Sequence, residues 1–190
     1  QIVLGLNPSA AGMLLAVVPL SMGITAPIAG SLSDRFGTRP LTVIGLLILL
    51  GGYISAQSLG TDTTPLRYAL TLLPVGIGMG MFQSPNNSTI MGSVPRQRLG
   101  VASGLLSITR TMGQTLGISI MGGLWASIVA GLVGGPLVGG ATEAPAQVQV
   151  QALHTTLWII VGLISVAFLL SLEALLTERR QRRAGVAAAE

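Results

Sequence analysis

Cysteine and lysine are both absent, and the charges are few: ten basic residues, all arginine, and six acidic ones among 190. Without cysteine there are no disulfides and no thiolate metal sites, and the redox compartment cannot be read. Charged residues make up 8% of the chain, against roughly a quarter of an ordinary soluble domain, so a water-soluble fold of this size is excluded. Aromatics are scarce at 4%, and His154 is the single histidine. The pI near 11.1 does not point to nucleic acid, because the arginines lie in short gaps and in the tail rather than on one soluble face. Gln1 stands where a start methionine would, and no charged segment leading into an apolar core and a cleavage site follows it. No signal peptide is therefore expected, and residues preceding Gln1 are expected to be missing. The use of arginine at every basic position, with abundant Ala, Gly and Val, is associated with a GC-rich bacterial genome.

What is present is apolar. Hydrophobic residues make up 50% of the chain, the mean hydropathy is +0.74, and the 26 glycines suit helices that approach closely in lipid. About 20 apolar residues cross a bilayer. Five runs approach that length, at 11–32, 41–57, 68–90, 101–128 and 153–176, followed by a basic tail over 177–190. The fold class expected is all-α, a polytopic helical bundle. Arg35 and Arg39 occupy the first gap, Arg96 and Arg98 the third, and Arg179, Arg180, Arg182 and Arg183 the tail, whereas the other side has Arg67 alone. Cytoplasmic loops retain positive charge, so the N-terminus is expected outside and the C-terminus in the cytoplasm. The tail reads as a topology anchor or as a binder of anionic headgroups, and the Gly- and Pro-rich stretch over 131–145 as an external loop.

The first gap runs Gly30-Ser31-Leu32-Ser33-Asp34-Arg35-Phe36-Gly37-Thr38-Arg39-Pro40. It resembles the signature loop of the major facilitator superfamily, with Gly30, Asp34, Arg35, Gly37 and Arg39 at the expected spacing and Pro40 in place of a final base. Gly37 permits a tight turn. Asp34 and Arg35 can pair with charges or helix ends nearby. The resemblance implies that this loop is a cytoplasmic gating latch favouring an outward-facing state. Pro19, Pro27, the segment from Gly76 to Met81, the segment from Gly100 to Gly104, Arg110, and the segment from Gly113 to Gly117 resemble the fourteen-helix drug:proton antiporter branch. That likeness implies the last five of fourteen helices. Gly131 to Gly140 matches the branch's G-x-x-x-G-P-x-x-G-G signature but lies outside its expected span, and is read as chance.

Two polar faces are candidates for a substrate pathway. In the third run, Gly76, Met79, Gln83, Asn86 and Asn87 share one helical face, with Phe82 and Met81 beside them and Pro85 freeing the carbonyl of Met81. The face reads as a cavity wall or as an interhelical packing face. In the fourth run, Ser103, Ser107, Arg110 and Gln114 form a second stripe. Arg110 lies about halfway through the hydrocarbon core, where a charge costs at least about 2.5 kcal/mol and faces a cavity or a partner; a functional role and a structural pair both stand. Gly100 with Gly104 and Gly113 with Gly117 fit close helix packing. His154 reads as an interfacial residue or a proton relay, and Glu173 as reaching the headgroups.

No carboxylate lies deep in a run, so a coupling acid is expected elsewhere in a longer protein, in a missing N-terminal half. The reading that results is a secondary active transporter that exports a small amphipathic, often cationic substrate in exchange for protons by alternating access. It uses no cofactor beyond the proton gradient, sits in the plasma or inner membrane as a multi-pass protein, and has the lipid bilayer rather than nucleic acid as partner. Alternatives are a major facilitator carrier of a metabolite or sugar, and a non-transporting membrane sensor or assembly protein. An intramembrane enzyme is disfavoured, since no metal-ligand cluster or Ser/His/Asp arrangement is present.

Overall fold

A computed structural model describes residues 7–135, 137 and 139–187, with the side chains of 179–187 outside the description. The described residues are helical throughout, joined by short turns: α1 Pro8–Leu15, α2 Val17–Phe36, α3 Thr38–Ser55, α4 Pro65–Gly92, α5 Leu99–Val133 and α6 Ala146–Ala187.

The helix starts follow from capping chemistry. Asn7 precedes Pro8 and its side chain accepts from the Ala10 amide at 2.8 Å. Thr64 precedes Pro65 and accepts from the Arg67 amide at 3.3 Å. In both, proline sits at the first helical position, where its missing N–H is no loss. The break between α1 and α2 has the reverse cause: Pro19 has no N–H to offer the carbonyl of Leu15, so the ladder lapses at Ala16 and resumes with Leu20 N–H to Ala16 O at 3.0 Å. The two helices together form one stretch, Pro8–Phe36. Gly134, in the left-handed region at φ 82°, closes α5.

Four stretches are long and apolar enough to cross a membrane: Pro8–Phe36, Thr38–Ser58, Arg96–Val133 and Ala146–Glu178. The sequence pattern suggests a fifth in α4, whose 28 residues suffice in length. Its second half carries Gln83, Ser84, Asn86, Asn87, Ser88 and Thr89, too polar to join that set. Helices α5 and α6 run beyond their apolar stretches, at about 50 and 60 Å for 35 and 42 residues. The connection between them therefore shrinks to Gly134–Pro145. It folds back as a cap: Gln149 donates to Thr142 O and Ala144 O at 3.0 and 2.8 Å, Trp125 donates to Gln149 O, and Val129, Ala144 and Ala152 are buried together beneath. Pro136 and Val138, within the antiporter-like match, lie outside the described residues.

The packing centre is α4, wedged between α2 and α3. A Cβ on Gly76 would strike Ser21 Oγ, and one on Gly80 would sit 2.9 Å from Met22 O, both on α2; one on Gly78 would sit 2.6 Å from Leu49 N on α3. Helix α3 answers with Gly45 and Gly52, whose Cβ positions fall 2.7 Å from Phe82 N and 2.8 Å from a Val75 methyl. Even-numbered glycines alternate between two neighbours because 3.6 residues per turn rotates each successive pair by roughly half a circle. Around this contact Leu46, Leu49 and Val75 are buried, with Ile164 and Phe168 of α6 against them. By contrast, a Cβ on Gly100, Gly104, Gly113 or Gly117 of α5 would meet no atom within 4 Å among the described residues. Helix α5 packs chiefly on α6 and touches α4 at few points.

Gly78→Ala is expected to destabilise the full-length parent by about 1–3 kcal/mol, the usual cost of overpacking, because its Cβ would sit 2.6 Å from the Leu49 amide nitrogen. Thermal unfolding in detergent measures the loss.

Candidate substrate pathway and one-residue turn

The turn between α2 and α3 is a single residue, Gly37, at φ 88° and ψ 157°, a backbone region essentially reserved for glycine. Its amide closes α2 on Ser33 O at 2.9 Å, and α3 begins at once. The arginine-rich end of the bundle is thus held tight. Arg39, in the first turn of α3, reaches α6: its Nε lies 3.0 Å from Glu178 Oε2 and its Nη1 donates to Ala174 O at 2.6 Å. With Arg39 49% exposed, screening limits what the ion pair adds to stability, and the contact fixes position more than energy. Asp34 and Arg35 are exposed and make no ion pair among the described residues. Gly30 is half-buried, and a Cβ there would come 3.4 Å from Ser84 Oγ of α4.

At the opposite end His154 Nε2 lies 2.7 Å from Leu59 O, and Gln57 donates to His154 O at 3.3 Å. A carbonyl partner requires a proton on Nε2, so His154 ties the start of α6 to the α3–α4 connection in either charge state.

The candidate pathway residues of α4 divide into two groups. Gly76 faces α2 as a packing position, and Met79 and Phe82 pack against the buried Leu46, Leu49 and Val75. Gln83 and Asn87 instead line a cleft of about 370 Å³ with Ala26, Ser84, Ser88 and Met91. Pro85 is fully buried, and the Thr89 hydroxyl takes its carbonyl at 3.0 Å. Across from the cleft, Arg110 Nη2 donates to Asn87 Oδ1 at 3.3 Å, bringing the stripes of α4 and α5 together at one point. Ser107, Arg110 and Gln114 are uncovered on α5, and Asn86 and Gln114 make no hydrogen bond among the described residues. Hydroxyls along these helices are satisfied internally, as in Ser103 to Gly100 O and Thr111 to Ser107 O, both 3.0 Å.

Three features were not among the residues singled out from the sequence: the Arg39–Glu178 pair, the serines Ser84 and Ser88 in the cleft, and the buried Ser33. A pair 139 positions apart has no periodicity to betray it. The serines, on the other hand, fall one helical position from Gln83 and Asn87, and a wider polar arc on α4 would have included them.

A family model for the Major Facilitator Superfamily matches residues 1–190. The chain belongs to this superfamily. Its members are transporters rather than enzymes, and the chain is accordingly part of a multi-pass membrane protein. This major facilitator chain is 38% identical over 121 residues to the uncharacterized transporter YebQ of Escherichia coli and 33% identical over 121 residues to the riboflavin transporter RibZ of Clostridioides difficile. Each match covers 64% of the chain and 26% of the relative. It is 28% identical over 147 residues, 77% of the chain, to the multidrug transporter protein MdtP of Bacillus subtilis, covering 27% of that protein. The chain spans about a quarter of the length of these relatives.

Gly37→Ala is expected to strain the turn by about 1–3 kcal/mol and to lower the thermal midpoint of the parent protein, and Gly37→Asn is expected to lose as much, because the left-handed conformation that Asn tolerates has ψ of about +47° rather than 157°. A midpoint unchanged in both variants would show that this turn does not hold φ 88°.

Proposed function

We propose that this chain is part of a fourteen-helix drug:proton antiporter in a bacterial plasma membrane, exporting amphipathic, often cationic compounds by alternating access, with its arginine-rich end in the cytoplasm. The observation that carries the reading is the bond from Arg110 to Asn87 at 3.3 Å, beside a polar cleft of about 370 Å³. A guanidinium in the middle of an apolar helix is costly unless it faces a partner or a water-lined path, and here it meets one neutral amide. Gln83, Asn86, Asn87, Ser107, Arg110 and Gln114 would form the polar part of the pathway wall, with Met79 and Phe82 as adaptable apolar contacts at its margin. MdtP and the Mycobacterium tuberculosis protein Stp, named as a multidrug resistance protein and 29% identical over 130 residues, favour a drug substrate. Proton coupling draws on an acid outside this stretch: Asp34, Asp62, Glu143 and Glu173 are exposed rather than buried in the bundle, Glu178 is engaged with Arg39, and arginine stays charged at any working pH.

A second reading is transport of one defined solute by the same fold. It rests on RibZ, whose identity of 33% exceeds the 28% of MdtP, and leaves the pathway residues as assigned.

The test is gradient-dependent efflux of a fluorescent cationic dye from cells making the full-length parent. Arg110→Ala and Asp34→Asn are each expected to cut efflux by tenfold or more at unchanged expression. In a cycle with Asn87→Ala, the Arg110 and Asn87 effects should be non-additive by about 0.5–3 kcal/mol in kcat/KM. If a folded parent moves no dye of any charge class but carries riboflavin or another single solute, the drug reading gives way to the second.

A further inference from the structure

Below the one-residue turn lies a cleft of about 530 Å³ that the pathway reading leaves unused, lined among others by Ser33, Arg35, Thr38, Arg39, Leu175 and Glu178. Four observations converge on it. First, the Ser33 hydroxyl is buried, with the residue 4% exposed, and has no hydrogen-bond partner; a buried donor left unpaired costs about 1–3 kcal/mol. Second, α3 starts at the cleft with no side-chain cap and no acidic residue in its first turn, so the amides of Thr38 and Arg39 and the positive end of the helix dipole are left to an outside acceptor. Third, Arg39 is a base placed at that positive end, a disfavoured position that a nearby anion relieves. Fourth, Glu178 is taken up by Arg39 at 3.0 Å, which leaves Arg35 as the surplus: two arginines against one carboxylate among the described lining side chains.

We propose that this cleft binds a phosphoryl group, held by the Ser33 and Thr38 hydroxyls, the first amides of α3 and the Arg35 guanidinium, and that its source is the phosphodiester of an anionic phospholipid. Helix N-termini with free amides are ready anion sites. The volume exceeds what a bare phosphate needs, and the exposed Phe36 together with Leu175 and Pro40 gives the cleft an apolar wall suited to a glycerol backbone. This site is separate from the α4–α5 pathway and does not depend on the identity of the transported solute.

The test is native mass spectrometry of the full-length parent in detergent, titrated with phosphatidylglycerol, with diacylglycerol, which lacks the phosphate, and with inorganic phosphate. Phosphatidylglycerol adducts are expected on the parent, about tenfold weaker on Arg35→Gln and severalfold weaker on Ser33→Ala and Thr38→Val, with no comparable diacylglycerol adduct. Inorganic phosphate bound in the same residue-dependent way without the lipid would uphold the phosphoryl site and move its source to solution. Adducts equally strong on Arg35→Gln and the parent, or no preference for phosphatidylglycerol over diacylglycerol together with no phosphate binding, would overturn the proposal. Should Arg35→Gln fail to fold, Ser33→Ala and Thr38→Val, which remove a hydroxyl each, decide the matter alone.

Discussion

The approach of α4 to α2 and α3 at backbone distance governs everything else in this structure. In lipid there is little hydrophobic gain from bringing two helices together, so association rests on dispersion between well-fitted surfaces. Dispersion falls off steeply with separation. Gly76, Gly78 and Gly80 on one side, and Gly45 and Gly52 on the other, remove the side chains that would hold the axes apart. The consequence for function is positional. With α4 fixed at its glycine half, the polar half that follows has one direction in which to open, and Gln83 and Asn87 fall into the cleft beside Ala26 of α2.

The same wedge accounts for a polar helix in an apolar bundle. Pro74 and Pro85 each withdraw an amide from α4, and Asn86, Asn87 and Ser88 follow the second. In lipid such a segment would be expensive, and it is tolerated where neighbouring protein or a water-lined path can meet its polar groups. Helix α5, long and apolar, is tied to α6 by the buried cap around Val129 and Ala152 and to α4 by Arg110.

Much of this was legible from residue order. The membrane class followed from the scarcity of charge, the superfamily from Gly30, Asp34, Arg35, Gly37 and Arg39, and the Gly37 turn from the need for positive φ between two helices. Other features were not. Local periodicity places residues on a face but does not say what covers it, so Gly76 reads with the polar stripe yet packs on α2. Apolar runs mark the lipid-spanning part of a helix rather than its ends, so α6 begins at Ala146, well before the run at 153. Contacts between distant segments, such as Arg39 with Glu178, emerge only from the fold.

The single-residue joint at Gly37 also has a mechanical meaning. A linker of several residues absorbs a tilt of one helix before the next one feels it; a joint of one residue has no slack. Any rocking of α2 is therefore delivered to the first turn of α3, and from there through Arg39 to the far end of α6. At the opposite face His154 and Gln57 anchor α6 again. Helices α2, α3, α4 and α6 are thus braced to one another at both ends, and α5 joins them through the buried cap that it shares with α6.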